Sequence, residues 1–421
     1  MTQRKCLKCA GYFDDDYPAD FCARCRVRPK QISLAKLHAV FKKWLWIEDT
    51  GTLDIVLATA LTHTLPYGEP PIWIIVVGPS GDGKSEILNS LAGNNWSMRC
   101  DRLTSKSLIS GYKSDSGETF DLAPELNGKV WIISDFAQLL KLHPNEKGEV
   151  WAQLRNLYDG TISSKSGTRT LKEYDNLRVT LLGGSTPAIN QQILIFQDLG
   201  TRELIWRTIK VKNSNKRFCK IDTHYGKGAK MKAEMATAVR RYFQGRTVRS
   251  MKIPKMTLQH LKKLAGFLAV LRSTADTDWY TGELVSPVST EEPTRIYSQF
   301  RVIYKALRSL APDYSDRQAR IVLARLVLSN CNPLRLALMQ IIGAEADEIG
   351  YVQLIGKLKK ARKTILTECM VLADLGLLNA RNEELPYGKS SWWFCKNQKL
   401  VEMLSEFAEV LKASKEGKTR V

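Results

Sequence analysis

Long apolar runs and helix-period stretches divide this chain into regions before any motif is considered. Ile72–Val77 is an unbroken apolar run, KVWIISDF (129–136) is a second and RVTLLGGSTP (178–187) a third. Runs of this length, bounded by Gly, Pro and polar residues, predict strands covered on both faces. Elsewhere the period changes. Leu34, Leu37, Phe41 and Leu45, then Leu53, Val56, Leu57 and Leu61, recur at helical spacing over 29–65. TLQHLKKLAGFLAVLRS (257–273) and RIYSQFRVIYKALRSL (295–310) carry the same period, so 228–310 is expected to be mostly helical. The alternation of strand-like and helical stretches over 70–210 predicts an α/β core, a parallel sheet covered by helices.

Further along, NPLRLALMQIIG (332–343), YVQLIGKLKK (351–360) and KTILTECMVLADLGLL (363–378) read as three helices. A hairpin follows over 378–395, with Pro386-Tyr387-Gly388 at its turn. Three helices and a hairpin predict a C-terminal winged helix-turn-helix. The expected division is 1–28, a cysteine module; 29–69, N-terminal helices; 70–227, the α/β core; 228–312, a helical lid; 313–400, the winged unit; and 401–421, a helix and basic tail.

Charge adds a partner class. Lys and Arg number 63 against 43 acids, a formal net charge of +20, which points to a polyanion such as nucleic acid. The excess is concentrated: 207–255 holds fifteen Lys/Arg against Asp222 and Glu234. No apolar run approaches the ~20 residues of a membrane span, and MTQRKCLKC is not a secretory leader, so a cytoplasmic protein is expected.

The sharpest chemistry lies in GPSGDGKS, residues 78–85, between the first apolar run and a helix-like segment. This is a phosphate-binding loop. Gly78, Pro79, Ser80, Gly81, Asp82 and Gly83 form the cradle, whose backbone N–H groups face anionic oxygens. Lys84 reaches the outer phosphates, and Ser85 is placed to bind Mg²⁺. At the N-terminus, Cys6-x-x-Cys9 and Cys22-x-x-Cys25 give two tight thiolate pairs, a set that suits tetrahedral Zn²⁺ in a zinc ribbon. Whether that module meets DNA or protein stays open.

Asp135 is the acid at the tip of the second apolar run, with Ser134 before it and Phe136 after it. Either metal-shell binding or water polarisation suits it. At the tip of the third run, Ser185 and Thr186 can orient a water, with Asn190 as an alternative. Arg202, after a Gly-containing turn and before LIWR, is placed to reach a neighbouring subunit's nucleotide, and Arg207 is a second candidate.

Taken together, these segments resemble AAA+ ATPases, and more closely those encoded by phages and other mobile elements. The resemblance spans about residues 50–310. It is carried by the phosphate loop, LTSKSLISGY (103–112), LNGKVWIISDF (126–136), LRNLYDG (154–160), GGSTPAIN (183–190), LGTRELIWR (199–207) and EEPTR (291–295). It implies that Lys84 and Ser85 bind ATP–Mg²⁺ and that Asp135 is the strand-tip acid. It also implies Thr186 as sensor 1, Arg202 as a trans arginine finger and Arg295 as sensor 2. The usual second acid is missing, and Glu203 stands where an apolar residue is expected.

DGTISSKSGTRTLKEYDNLRVT (159–180) is similar to the pre-sensor-1 hairpin of minichromosome-maintenance (MCM) and superfamily 3 helicases. On that likeness, strands near 161–164 and 169–171 flank a Lys165-Ser166-Gly167 turn. Lys165 then contacts phosphates at the tip, supported by Arg169 and Lys172. In the winged unit, Lys363, near the start of the recognition helix, and Lys389, in the wing, are the candidate DNA contacts, with protein contact as the alternative use. The implied activity is a DNA-dependent ATPase, a hexameric ring helicase of a phage or mobile element in a bacterial host. It would use ATP, Mg²⁺ and Zn²⁺ on single-stranded or forked DNA, alongside other replication proteins. The alternative is an ATP-switched initiator or helicase loader.

Overall fold

The computed structural model describes residues 3–5, 12–14, 30–110, 120–165, 171–190, 202–209, 214–278, 280, 283–386 and 389–415. Two short strands, β1 (Gln3–Lys5) and β2 (Tyr12–Asp14), pair antiparallel at the N-terminus. Cys6, Cys9, Cys22 and Cys25 lie outside the described residues.

Helix α1 (Leu34–Trp44) is capped by Ser33, whose Oγ accepts from Lys36 N at 3.3 Å. Helix α2 (Gly51–Leu61) is buried at every position, as its apolar sequence requires. The central elements follow in order: β3 (Trp73–Val77), α3 (Lys84–Asn89), β4 (Ser97–Arg99), α4 (Leu122–Leu126), β5 (Val130–Ile133), α5 (Ala137–Leu140) and α6 (Pro144–Tyr158). A hairpin of β6 (Ile162–Lys165) and β7 (Leu171–Tyr174) leads into β8 (Thr180–Ser185), and β9 (Leu204–Arg207) completes the set.

Strands β4, β5, β8, β3 and β9 form one five-stranded sheet in that spatial order, every neighbouring pair parallel. Alternate residues feed two separate cores. Trp73, Ile75 and Val77 join Trp131, Ile133 and Leu181 under Val150, Leu154 and Leu157 of α6. Ile74 and Val76 face the other way, with Ile132, Leu182 and Trp206, against α1, α2 and a large helical layer.

After a largely exposed α7 (Ser214–Thr223), that layer comprises α8 (Gly228–Phe243), α9 (Lys255–Arg272), α10 (Thr294–Ser309) and α11 (Asp316–Asn330). Helix α8 packs on α1, and α10 packs on α2. The helices expected as a lid therefore share one continuous core with a face of the sheet. The apolar side of α10 (Phe300, Ile303, Leu307) is fully buried there.

Helix α11 was grouped by sequence with the C-terminal unit, but it packs on β9, α9 and α10. The reason is local. The Asn330 amide accepts from Ile205 N and donates to Ile205 O, each at 2.9 Å, as a neighbouring strand would. It thereby satisfies the open edge of β9. Arg325 lies 4.2 Å from the Trp206 ring centroid and pairs with Asp49.

The C-terminal unit starts with α12 (Pro333–Ala344), then β10 (Ile349–Gly350), α13 (Tyr351–Leu358), α14 (Arg362–Asp374), β11 (Leu378–Leu385) and β12 (Lys389–Lys396). Its strands form an antiparallel sheet in the order β10, β12, β11. Phe394 is fully buried beneath it, a packing role rather than a base-stacking one. Helices α15 (Gln398–Glu406) and α16 (Ala408–Lys415) return to pack on α12 and α11 respectively. Among the described residues no single helix is long and apolar enough to cross a membrane.

Candidate functional site

Strand β3 delivers the chain into the glycine-rich loop, and the loop is stitched to β8 by Gly78 N donating to Ser185 O at 3.1 Å. Gly81 and Gly83 take φ of +77° and +89°, left-handed values that a side chain would strain. Lys84 is 8% exposed; its Nζ donates to Pro79 O at 3.0 Å and to Asp82 Oδ1 at 3.3 Å. The other Asp82 oxygen accepts from the Thr208 hydroxyl at 2.7 Å. The lysine is thus stored inside the loop, with its charge balanced by Asp82. Arg217 of α7 donates to Asp82 O at 3.4 Å. It lines a small cleft of about 50 Å³ beside Lys84, with Trp46, Ile47 and Thr208. Neither Asp82 as the lysine's partner nor Arg217 was legible in the motif, because both roles depend on contacts across the fold.

Strand β8 lies between β3 and β5, so its tip sits between the phosphate loop and Asp135. Phe136 N donates to Gly184 O at 2.7 Å. A Cβ on Gly184 would lie 2.7 Å from Ser134 O, so only glycine lets the acidic turn come this close. Asp135 is exposed, with Oδ1 accepting from Ala137 N at 3.1 Å. Thr186 is half-buried directly after β8. The Asn190 carbonyl is taken up by Arg207, whose Nη2 donates to it at 2.9 Å. Ser85, Asp135 and Thr186 are hard oxygen donors, the chemistry Mg²⁺ selects. Beside them stands an acid that sequence reasoning missed. Asp101, just past β4, accepts from Ser134 N at 2.5 Å.

Both Arg202 and Arg295 lie away from the chain's own phosphate loop. Ile74 pairs with Leu204 and Val77 with Arg207, so β9 enters at the sheet end opposite the loop. Five residues of extended chain, about 17 Å, separate Arg202 from the loop end. Arg202 Nη2 donates to Asp159 Oδ2 at 2.8 Å. Gln299 Nε2 donates to Arg202 O and to Tyr158 Oη, each at 2.8 Å. Burial pushes the Tyr158 hydroxyl up to about 12, against the Gln299 hydrogen bond and the positive charges of Arg295 and Arg202. The two arginines therefore gather around Tyr158 and Asp159. Glu203, unexpected after the arginine, is half-buried, and desolvation pushes its carboxyl up.

Arg207, the second candidate for reaching a neighbour, is tied inside its own chain. Its Nε donates to Ser329 O at 2.7 Å, and its own carbonyl accepts from Arg325 at 3.1 Å.

In the hairpin, Ile162 pairs with Tyr174 and Lys165 with Leu171; residues 166–170, where the second strand is expected to start, lie outside the described residues. Lys165 is exposed at the end of β6. Arg169 lies outside the described residues. Lys172, expected beside Lys165 on phosphates, is buried; its Nζ meets Asp121 Oδ2 at 2.9 Å. Asp121 also accepts from Tyr174 Oη at 2.8 Å and Ser110 N at 2.7 Å. Burial alone would raise the Asp121 carboxyl, but the hydrogen bonds from Lys172, Ser110 and Tyr174 outweigh it and leave it lowered. Lys172 ties the hairpin to Asp121 and is not a phosphate contact. On α14, Lys363 is exposed and its Nζ donates to Tyr280 O at 2.8 Å. Lys389 begins β12, at the turn of the C-terminal hairpin.

No family model matches the sequence, and no curated protein matches it. Among solved structures, the apo C-terminal region of NrS-1 aligns at TM-score 0.32 and 11% identity, covering 88% of this chain and 78% of that chain. The SCCmec type IV helicase Cch aligns at TM-score 0.34 and 13% identity, covering 90% of this chain and 72% of that one. Overlaps of this size transfer neither fold nor activity, so the chain's own geometry carries the functional reading.

Proposed function

We propose that this chain is a DNA-dependent AAA+ ATPase, working as a ring-forming replicative helicase of a phage or mobile element in the bacterial cytoplasm. One observation carries the reading. The phosphate loop and Arg202 sit at opposite ends of one sheet, so a protomer cannot close its own nucleotide with that guanidinium. A second copy can, and head-to-tail repetition of such a contact closes a ring, for which six subunits are expected.

Within that interface the backbone of Gly78–Gly83 cradles the phosphates, and Lys84 leaves Asp82 to meet their outer oxygens. Mg²⁺, held by Ser85 and screened by Asp135, supplies charge neutralisation on the transferred phosphoryl group. Thr186 orients the attacking water. Arg202 of the neighbour offsets the charge that develops in the transition state, and Arg295 acts from the same surface.

The +20 charge and the exposed Lys165 at the hairpin before β8 support a nucleic-acid track. The order α12, β10, α13, α14, β11, β12 supports the winged-helix reading, in which Lys363 and Lys389 would meet DNA or another replication protein. The four N-terminal cysteines are proposed to hold Zn²⁺ as a ribbon.

A second reading, an ATP-switched initiator or loader, is favoured by the missing second acid beside Asp135, which is flanked by Ser134 and Phe136. Strand displacement on 5′- and 3′-tailed duplexes with ATP and Mg²⁺ separates the two. The motor reading expects unwinding from one tail polarity. Assembly on DNA without displacement from either tail would replace it with the switch.

A further inference from the structure

We infer that Asp101 supplies, from the neighbouring strand, the negative charge that the Ser134–Asp135 tip lacks, and that it acts as a positioning residue for the magnesium shell. The inference rests on the nucleotide reading above.

Strand β4 runs parallel to β5, with Ser97 opposite Val130 and Arg99 opposite Ile132. Cys100 N continues the ladder to Ile132 O at 3.1 Å, and the next residue, Asp101, arrives beside Ser134. Its carboxylate is fixed from two sides. Oδ1 accepts from Ser134 N at 2.5 Å, and Oδ2 accepts from Arg99 Nε at 2.8 Å. Ser134 Oγ donates to Asn89 Oδ1 at 2.6 Å, and Asn89 stands one helical turn beyond Ser85 on α3. Ser134 therefore joins α3 to Asp101, through its side chain on Asn89 and its backbone N–H on the carboxylate.

A serine at position 134 brings no charge, and the carboxylate it binds does. The Asp101 side chain is 23% exposed, so metal-bound water can approach it. Magnesium keeps several of its waters, and carboxylates that accept from them tune its affinity without direct ligation. A purely mechanical role, tying the end of β4 to the turn after β5 and pairing with Arg99, would leave the magnesium dependence unchanged. Asp101→Asn separates the two, because its amide oxygen still accepts from Ser134 N.

The test is a fluorescence titration of mant-ATP binding to the full chain, with Mg²⁺ raised from an EDTA baseline. Asp101→Asn should shift the Mg²⁺ midpoint upward by about 10–100-fold and leave binding in EDTA unchanged. Adding Ser134→Asp should bring the midpoint back, because the charge returns on the adjacent strand. An Asp101→Asn midpoint equal to wild type overturns the inference, as does a shift that Ser134→Asp leaves in place. Should Asp101→Asn melt early, the pair Asp101→Glu and Asp101→Gln, which differ from each other in charge alone, gives the same comparison. Wild-type protein that binds no mant-ATP overturns the nucleotide reading itself. Magnesium-dependent binding that ignores Asp101 overturns only this assignment.

Discussion

On the proposed reading most of the chemistry turns on Lys84, which the fold holds between Pro79 O and Asp82. Asp82 balances its ammonium inside the loop, so an arriving phosphate need only outcompete one carboxylate and one carbonyl. Lys84→Ala should lower the melting temperature, because it strands the buried Asp82 carboxylate, which keeps only its bonds to Thr208 and to the residue 84 backbone. ATP turnover should fall to background in the same protein. Unchanged DNA-stimulated hydrolysis in a phosphate-release assay would remove the site from this loop. At the residue scale, the motif was legible because its spacing is local. Asp101 was not, since its relation to Ser134 runs across strands 33 residues apart, and an acid search along the Asp135 strand alone passes it by.

Among the elements, the hairpin before β8 shows how burial decides a lysine's role. Lys165 and Lys172 look alike in sequence, yet one ends its strand in solvent and the other meets Asp121, 51 residues earlier. No period or propensity carries that information. Lys172→Met should destabilise the protein by about 3 kcal/mol, because it strands a buried carboxylate. The pH dependence has a definite sign. In the wild type Asp121 is lowered, so its contribution is complete above the unfolded carboxylate value of about 4 and is lost as pH falls through the folded value. Without Lys172 burial dominates, the carboxyl rises and protonation relieves the strain. The deficit measured by thermal melting should therefore be largest at neutral pH and shrink on acidification; a pH-independent deficit would mean the pair is not the cause. Lys165→Ala should keep basal hydrolysis and melting temperature but lose DNA stimulation and strand displacement. Normal unwinding would assign the pore role elsewhere. The buried strands β3, β5 and β8 were readable as apolar runs because helices cover both faces. The helices α9 and α10 were readable from their stripes. The placement of α11 was hidden, since it depends on Asn330 pairing with Ile205, 125 residues away.

For the whole molecule, the sheet order and the direction of β9 put the phosphate loop and the Arg202–Arg295 surface at opposite ends of one sheet. On the proposed reading a neighbouring copy would join the two ends. Lys84→Ala and Arg202→Ala protomers each lack a different half of that interface. The most direct measurement is ATP hydrolysis by mixtures of the two variants on DNA, each inactive by itself. The account predicts that turnover reappears on mixing, at interfaces where an intact loop meets an intact arginine. Mixtures that stay inactive at every ratio, while each variant still assembles on DNA, would contradict it.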